Sequence, residues 1–387
     1  MHPNKIFCTA PFTTVRIESF DQHNITSNVA GTVFKPGCVY RAQAPISTLK
    51  EYLNGTEMQQ LRDNKLTGAI PSIGCASCSG PESLGMTSIR QQLLLKPWAS
   101  AEKKIRMLDV FFGNTCNLGC LMCGPDYSSF ASEERYRAGL TPYRIPLIDN
   151  TDLVMQTINQ LPDLESVTFL GGEFFLSKNS LNYLDQIILQ GLQCTITTNA
   201  TVIPTMVLHK LQQIPELQLR ISVDGTEDVY EFIRYPAKWT TLNQNIDLLQ
   251  ANLPHAEFHI AIVVQPLNIQ TLPELLDWAN HRMIPTHYQI LHTPEYLSWQ
   301  ILNTNEKNAV INLLRHKQKQ YRLTLQQNQL IQDLINAMLT VEFDSITRLQ
   351  SINFLSKIIN HRKIASQSVQ KQFGLLTDWS NQILNLI

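Results

Sequence analysis

Three cysteines fall within eight residues of this chain, at Cys116, Cys120 and Cys123, with the spacing C-x3-C-x2-C. They follow a run at 106–112 that is predicted to be a β-strand, so all three lie in the loop after it. Three thiolates are one fewer than a fully ligated iron–sulfur cluster needs, which leaves one iron of a [4Fe–4S] cluster open to a small molecule. A zinc ion completed by a distant Cys or His is the alternative, although zinc sites more often use paired C-x2-C units.

The composition restricts the class of protein that carries this loop. The chain has 387 residues, a net charge of −1 and 16% charged residues, so it has no basic excess with which to neutralise nucleic-acid phosphates. It contains no apolar run of the roughly 20 residues that a membrane-spanning helix needs, and no signal-peptide stretch at its start. These features predict a cytoplasmic protein without a membrane or nucleic-acid partner. In such a chain, closely spaced cysteines favour metal or redox chemistry over disulfides.

Short apolar runs alternate with helix-period segments between residues 101 and 300. The predicted strands are 106–112, 166–170, 194–198, 218–223, 258–264 and 287–291. The predicted helices are 152–160, 179–189, 205–213, 240–249 and 271–279. Strands linked by helical crossovers form a parallel sheet, and their continuous apolar character predicts burial on both faces. The fold class is therefore α/β, and the pattern alone fits an open sheet as well as a barrel.

Two segments with different residue patterns flank this region. Residues 1–100 contain four further cysteines, Cys8, Cys38, Cys75 and Cys78. Strands at 13–18 and 28–34 and a helix at 46–65 are predicted there, and the clustered cysteines predict a module held together by a metal. Residues 301–387 carry apolar residues at helical spacing and no strand pattern, which predicts a helical C-terminal segment.

Short motifs follow the later strands in order. They are Gly171-Gly172-Glu173, Thr198-Asn199-Ala200, Ser222-Val223-Asp224-Gly225 and Val264-Gln265, with Arg234 twelve residues after Ser222. Each is weak alone, but the carboxyl ends of successive strands are where α/β barrels place their sites. Together with the cysteine loop, the series resembles the radical S-adenosylmethionine (SAM) superfamily over residues 105–295. Two positions depart from it: Met122 stands where relatives often have an aromatic residue, and Phe174 stands where they have proline.

The resemblance implies a partial (β/α)6 TIM-like barrel whose cysteine loop binds a [4Fe–4S] cluster and SAM. It implies SAM contacts from Gly171, Gly172, Glu173, Thr198, Asn199, Ser222, Arg234 and Val264. Glu173 would accept hydrogen bonds from the methionyl ammonium, Arg234 would bind the carboxylate, and Val264 would lie at the adenine. The implied chemistry is reductive cleavage of SAM to a 5′-deoxyadenosyl radical, which abstracts a substrate hydrogen. A reductant such as flavodoxin or ferredoxin would supply the electron.

The four N-terminal cysteines resemble the SPASM or twitch modules that hold an auxiliary [4Fe–4S] cluster, since four thiolates complete such a cage. They precede the barrel, whereas those modules usually follow it. Zinc held by the same four thiolates is the alternative, because both metals accept four thiolates. The remaining cysteine, Cys194, stands in a predicted buried strand and is interpreted as a structural thiol.

Three functions of different classes follow from these features. The leading hypothesis is a radical SAM oxidoreductase or modifying enzyme that acts on a peptide or protein side chain or on a small polar metabolite. A non-catalytic iron–sulfur or zinc scaffold is the second, and it predicts loss of SAM-binding positions, whereas Glu173, Ser222 and Arg234 are present. An RNA-modifying radical SAM enzyme is the third, and the near-neutral charge argues against it.

Overall fold

The computed structural model describes residues 8–20, 31–38, 46–67, 75, 78, 82 and 88–387. The chain divides into two compact units, each assembled from separate stretches of sequence. The first unit comprises Met1–Asn114, Leu147–Thr197 and Thr205–Leu217, and the second comprises Thr115–Pro146, Thr198–Pro204 and Gln218–Ile387. The four N-terminal cysteines therefore belong to the first unit and the C-x3-C-x2-C loop to the second. The division at residues 100 and 300 stays a prediction.

Eight β-strands are present in the described part of the chain. They are β1 (Thr14–Phe20), β2 (Gly31–Lys35), β3 (Met107–Phe111), β4 (Ser166–Leu170), β5 (Gln193–Thr198), β6 (Leu217–Ser222), β7 (Glu257–Val264) and β8 (Thr286–Ile290). In the first unit the order is β2-β1-β3-β4-β5, with β1 and β2 antiparallel and the other neighbours parallel. In the second unit β6, β7 and β8 pair in parallel. The six strands predicted between 101 and 300 are confirmed as β3 to β8.

The helices confirm the mixed α/β architecture. They are α1 (Ala10–Thr13), α2 (Leu49–Asn54), α3 (Thr56–Thr67), α4 (Ile89–Leu94), α5 (Ser129–Arg137), α6 (Thr151–Gln160), α7 (Ser180–Gln190), α8 (Thr205–Leu211), α9 (Glu227–Ile233), α10 (Trp239–Asn252), α11 (Leu272–His281), α12 (Thr304–Gln320), α13 (Leu325–Thr340), α14 (Ser345–Arg362), α15 (Ser366–Phe373) and α16 (Thr377–Leu384). The five predicted crossover helices correspond to α6, α7, α8, α10 and α11. The sequence pattern missed α5 and α9, which carry residues of the candidate site.

The N-terminal predictions are confirmed in part. The strand predicted at 13–18 is β1, and β2 overlaps the strand predicted at 28–34, of which residues 28–30 lie outside the described residues. The single helix predicted at 46–65 is wrong, because the chain forms α2 and α3 with a break at Gly55. Gly55 is extended, with φ −67° and ψ 153°, and a Cβ there would lie 2.5 Å from the Glu51 carbonyl oxygen. Leu49 and Met58 are buried on either side, so the apolar spacing continues through the break.

Burial of the strands on both faces was predicted, and this is wrong in the second unit. Buried and half-buried residues alternate along β6, and they alternate along β7 from Ile260 to Val264. Ile221 and Ile260 are fully buried on one face, whereas Arg220 and His259 are half-buried on the other. This alternation is typical of a sheet that packs on the core with one face and leaves the other solvated.

The C-terminal segment is helical, as predicted, and comprises α12 to α16. Leu334 and Trp379 are fully buried within it, and Arg348 forms a buried ion pair with Glu306 at 2.7 Å. None of the helices in the described ranges combines the length and the apolar character that crossing a bilayer requires.

Candidate functional site

The cysteine loop of the second unit spans residues 116–123 and is fixed through its backbone. The Cys123 N–H donates to the Cys120 carbonyl at 3.0 Å, which closes a turn around the C-x2-C pair. The Gly119 N–H donates to the Tyr235 carbonyl at 2.7 Å, just beyond α9. These bonds hold the three cysteines on a defined backbone path.

A buried arginine from α14 supports the same loop. Arg362 donates to the carbonyls of Gly119 at 2.5 Å and Phe232 at 3.0 Å, and two of its nitrogens each lie 2.8 Å from a Glu134 carboxylate oxygen. The side chains of Arg362 and Glu134 are 0% and 4% exposed. A Cβ on Gly119 would lie 2.6 Å from Glu134 Oε2, so this packing requires glycine. Sequence reasoning missed Arg362, because a basic residue in the last turn of a helix is ordinary.

Each cysteine of the loop has a nitrogen donor beside its sulfur or its carbonyl. The donors are Asn199 Nδ2, 3.9 Å from Cys116 Sγ, Arg234 Nη1, 3.7 Å from Cys120 Sγ, and Arg135 Nη2, which donates to the Cys123 carbonyl. The structure thus brings Asn199 and Arg234, both predicted site residues, to the cysteine loop. Donors directed at sulfur stabilise thiolates and tune the clusters that they hold.

Burial dominates the acidity of these thiols. It raises the pKa of Cys120, while the charges of Arg234 and Arg362 oppose the rise. It also raises the pKa of Cys123, and the charges of Cys120 and Cys116 raise it further. No three Cys, His, Asp or Glu side chains in the described residues are gathered tightly enough for a single metal ion. Three thiols with nearby cations suit a cluster in which each thiolate binds a different iron.

Arg234 pairs with the carboxylate of Asp224, a residue of the Ser222-Val223-Asp224-Gly225 motif for which the sequence predicts no role. Its Nη2 lies 2.7 Å from Asp224 Oδ2, at ion-pair distance rather than in an aligned hydrogen bond, and both side chains are buried. Asp224 Oδ1 accepts from the Val263 N–H at 2.7 Å. Burial raises the pKa of the Asp224 carboxyl, and Arg234 lowers it. Arg234 Nε has no hydrogen-bond partner among the described residues, so a donor stays available to a carboxylate ligand.

A buried amide follows β7 directly. Gln265 is fully buried, and neither polar atom of its side chain has a hydrogen-bond partner within the described ranges. Burying an unpaired amide costs about 1–3 kcal/mol, so this side chain fits a polar ligand. Val264, predicted to lie at the ligand, ends β7 as a fully buried residue, and Ser222 ends β6 half-buried, paired with Ala261.

The Thr198-Asn199-Ala200 motif forms a turn. Ala200 is fully buried and has φ 52°, a left-handed conformation that glycine adopts more readily than alanine. Thr198 Oγ1 accepts from the Ala200 N–H at 2.9 Å, and Asn245 donates to the Ala200 carbonyl at 2.7 Å. The Thr198 hydroxyl thus stabilises the turn, and the Asn199 amide faces the Cys116 sulfur.

The Gly171-Gly172-Glu173 motif lies in the first unit. Gly171 has φ 122°, and a Cβ there would lie 2.6 Å from the Gly113 carbonyl oxygen, to which the Gly172 N–H donates at 2.8 Å. Glu173 is 1% exposed, and its Oε1 accepts from the Phe175 N–H at 3.1 Å. Both glycines therefore serve the packing of the chain after β4, and one carboxylate oxygen of Glu173 caps the following turn.

Phe174 stands where the resemblance has proline, and the structure gives the reason. It is fully buried, 4.8 Å from the ring of Phe169 and 5.6 Å from that of Phe112, with which it packs edge to face. Aromatic pairs at these distances stabilise a core, so a large apolar residue is favoured here. Cys194, on β5 of the same unit, is buried as predicted for a structural thiol.

The four N-terminal cysteines all lie in the first unit, and the described residues do not gather three of them into a metal site. Cys8 lies in a buried cluster with Ala10 and Leu93, and Cys38 packs against that cluster. Burial raises the pKa of Cys8, Lys65 lowers it, and the charges of Cys78 and Cys75 raise it. The Cys78 N–H donates to the Cys75 carbonyl at 3.0 Å, and the buried Lys65 Nζ lies 2.9 Å from Cys75 Sγ. By their chemistry, four thiols with one cation would suit either an iron–sulfur cluster or zinc.

One known protein family matches the central part of the chain. Residues 110–279 match the family described as "Radical SAM superfamily". This match identifies a radical SAM domain within the chain. This family uses a [4Fe–4S] cluster and SAM, and its match contains the cysteine loop and every other SAM-site residue predicted above. Curated protein sequences gave no match to the chain.

Several solved structures of radical SAM enzymes are similar to the chain. Streptococcus suis SuiB bound to S-adenosylmethionine matches with 14% identity over 62% of this chain and 49% of that one, at a TM-score of 0.39. Native anSMEcpe with bound AdoMet matches with 16% identity over 57% of this chain and 63% of that one, at a TM-score of 0.41. The chain thus spans between about half and two-thirds of these proteins. At such TM-scores the likenesses add nothing to the family match.

Proposed function

We propose that this protein binds a [4Fe–4S] cluster through Cys116, Cys120 and Cys123, cleaves SAM reductively, and abstracts a hydrogen atom from its substrate. The observation that carries the proposal is the cysteine loop with Arg234 and Asn199 directed at its sulfurs. When bound, the cluster and SAM supply the one-electron cleavage that generates a 5′-deoxyadenosyl radical. The protein's own residues position the ligand and exclude water.

The side chains of the second unit suit the polar groups of SAM. Arg234, held by Asp224, offers its buried Nε to the methionyl carboxylate. Gln265 offers an amide that can both donate and accept, as an adenine edge requires. Ser222 and Val264 end neighbouring strands and would line the same ligand, as the resemblance implies. Glu173, with Gly171 and Gly172, is proposed for the methionyl ammonium on the resemblance alone.

We further propose a second metal site at Cys8, Cys38, Cys75 and Cys78. The buried Lys65, which contacts Cys75 Sγ and lowers the pKa of Cys8, supports it, since the ammonium would offset the negative charge of thiolates. With no open ligand position, an iron–sulfur cluster there would accept an electron from the substrate radical or serve the fold. Zinc would serve the fold alone.

The substrate that we propose is a peptide or protein side chain or a small polar metabolite, and the electron donor a flavodoxin or ferredoxin. Two of the matched structures contain a bound peptide: SuiB with the precursor peptide SuiA, and anSMEcpe with the Cp18Cys peptide. A partial (β/α)6 barrel is the proposed frame, with residues 1–100 as the cluster module and 301–387 as a helical segment.

The experiment is anaerobic reconstitution with iron and sulfide, followed by metal analysis and incubation with SAM and dithionite. About eight irons per chain with 5′-deoxyadenosine formation would support two [4Fe–4S] clusters. About four irons with one zinc and 5′-deoxyadenosine would support the enzyme and reject the auxiliary cluster. A fully loaded protein that neither binds SAM in calorimetry nor forms 5′-deoxyadenosine would reject the proposed function in favour of a scaffold.

A further inference from the structure

A polar patch crosses the three strands of the second unit. We call it the β6–β8 polar face, and its side chains are Gln218, Arg220, Glu257, His259, His287 and Gln289. Arg220 pairs with His259 in the register of β6 and β7, and Ala261 pairs with His287 in that of β7 and β8. Because paired residues of neighbouring strands point to the same side, and every second residue does so within a strand, these side chains share one face. On the opposite face of β6 and β7, Leu219, Ile221 and Ile260 are fully buried.

Three of these side chains carry or can acquire positive charge. Partial burial lowers the pKa of His259 and of His287, and the charge of Arg220 lowers both further. His259 also lowers the pKa of His287. Glu257 is the acidic member of the face, 3.9 Å from the His259 ring nitrogen, and its side chain is 74% exposed. Arg220 is therefore the permanent positive charge of the face, and the lowered pKa values favour neutral imidazoles that can donate from a ring N–H.

Hydrogen bonds orient the basic groups. Arg220 Nε donates to Gln218 Oε1 at 2.8 Å. Gln218 Nε2 donates to Glu257 Oε2 at 3.1 Å and lies 3.3 Å from His259 Nε2. Arg220 and His259 are half-buried, and His287 and Gln289 are exposed, so the face is open to a ligand. A guanidinium oriented in this way, with two imidazoles beside it, matches the fork geometry by which proteins bind carboxylates and phosphates.

The position of this face connects it to the site already described. Ser222 lies on the same side of β6 as Arg220, two residues nearer the carboxyl end of the strand. At the usual rise per residue, this separates the two by about 7 Å along the strand. A ligand group at Arg220 would therefore lie deeper along the strands than a ligand at Ser222.

We propose that the β6–β8 polar face binds an oxyanion group, a carboxylate or a phosphate, of the substrate. The assignment to substrate rests on the proposed function, because it takes the carboxyl ends of these strands as the SAM site. The anion-binding itself rests on the grouping of Arg220, His259 and His287. An oxyanion between these side chains would accept hydrogen bonds from three neighbouring strands.

The test is a histidine footprint on the reconstituted full-length protein. Diethyl pyrocarbonate modifies neutral, accessible imidazoles, and mass spectrometry measures its reaction at each histidine. Inorganic phosphate and acetate are the probes, each compared with chloride at equal ionic strength. We expect at least one of them to slow modification of His259 and His287 several-fold, and to leave His281 unchanged, because that ring is 72% exposed on α11.

Variants show whether Arg220 is responsible. We expect Arg220→Gln to abolish the protection and Arg220→Lys to retain part of it, since lysine keeps the charge without the fork. Arg137→Gln, an exposed arginine of the same unit, is the matched control and should leave protection intact. Circular dichroism and denaturant unfolding of every variant report whether the unit is folded. Absence of protection by both probes, equal protection of His281, or protection that survives in Arg220→Gln would each overturn the proposal.

The two probes also separate the two sources of the anion. Protection by phosphate alone would indicate a phosphorylated substrate, and protection by acetate would indicate a carboxylate. The footprint does not depend on SAM cleavage. A wild-type protein that shows the protection but neither binds nor cleaves SAM would therefore contradict the proposed function while the anion site stands.

Discussion

The cysteine loop of the second unit and the four-cysteine region of the first share one local structure and differ in what surrounds it. Both contain a C-x2-C turn closed by a 3.0 Å hydrogen bond, Cys123 to Cys120 in one and Cys78 to Cys75 in the other. Buried arginines surround the loop, whereas a buried lysine contacts the four-cysteine region.

The difference follows from what each kind of site needs. An arginine fork holds several carbonyls or a carboxylate at once, whereas a lysine supplies a point charge. A site with three thiolates lacks a fourth ligand from the protein, so the fold itself must fix the shape of the loop. Four thiolates enclose a metal on their own and need mainly charge compensation. We therefore expect the loop to be ordered by the protein and the four-cysteine region by its metal.

We expect the largest effect from substitution of single cysteines, which should change metal content and product formation differently at the two sites. Cys120→Ala removes one of only three ligands, and we expect 5′-deoxyadenosine formation to fall to background, with loss of about four irons per chain. Cys75→Ala should remove the metal of the first unit and leave 5′-deoxyadenosine formation without substrate measurable. The measurements are iron and zinc analysis and product assay on the reconstituted variants.

The matched control is Cys194→Ala. Cys194 is buried but belongs to neither site, so its substitution should change neither metal content nor product formation. If Cys75→Ala abolished 5′-deoxyadenosine formation in a protein that kept the iron of the loop, the two regions would not be the independent sites that the comparison assumes.

The next largest effect concerns Arg362. Arg362→Met leaves the Glu134 carboxylate buried without its partner, and we expect the free energy of unfolding to fall by about 3–5 kcal/mol. Because the Gly119 carbonyl also loses its donor, the loop should bind iron less completely. Denaturant unfolding and iron analysis measure the two effects.

Lys65→Met is the comparison in the first unit, and removal of its charge-assisted contact to Cys75 should cost about 1–3 kcal/mol.

The double variant Arg362→Met with Glu134→Met tests whether the unpaired Glu134 carboxylate causes the loss of stability. It removes both charges and should recover much of the lost stability. Equal losses for Arg362→Met and Lys65→Met would contradict the view that arginine supports one site more than lysine supports the other.

A smaller effect is the pH dependence of metal uptake. The pKa values of Cys120, Cys123 and Cys8 are raised above the usual thiol value, chiefly by burial. These thiols retain their protons as pH rises through the neutral range, and metal binding must release them. The affinity for iron should therefore increase with pH, by up to about tenfold per pH unit for each proton released. Iron titrations between neutral and mildly alkaline pH, monitored by absorbance, test this, and a pH-independent affinity would contradict it.

The sequence predicted the order of the strands and the cysteine loop because both are local patterns. The six strands between 101 and 300 form, and the family match contains that loop. Other features depend on contacts distant in sequence. Arg362 reaches Gly119 from 243 positions away, and no periodicity marks it. The break at Gly55 escaped detection because buried residues continue on both sides of it.

The polar face of β6 and β7 escaped detection for another reason. The isoleucines and valines of these strands give nearly continuous apolar runs in the sequence, although Arg220 and His259 interrupt the runs on one side. Asp224 and Gln265 stood in quoted motifs, but their roles emerge only from burial: Asp224 pairs with Arg234, and Gln265 is buried without a partner among the described residues.

The smallest effect concerns Ala200, which has a backbone φ of 52° and follows Asn199, the residue that contacts Cys116. Left-handed backbone costs a non-glycine residue about 1–2 kcal/mol, and glycine adopts it freely at some cost in unfolded-state entropy. We therefore expect Ala200→Gly to raise the free energy of unfolding by about 0.5–1 kcal/mol. Ala309→Gly, inside α12, should instead lower it by about 1 kcal/mol. If Ala200→Gly were destabilising, the buried Ala200 methyl group would outweigh the backbone strain. The loop would then depend on packing beneath Asn199 as well as on its arginines, which would sharpen its contrast with the four-cysteine region.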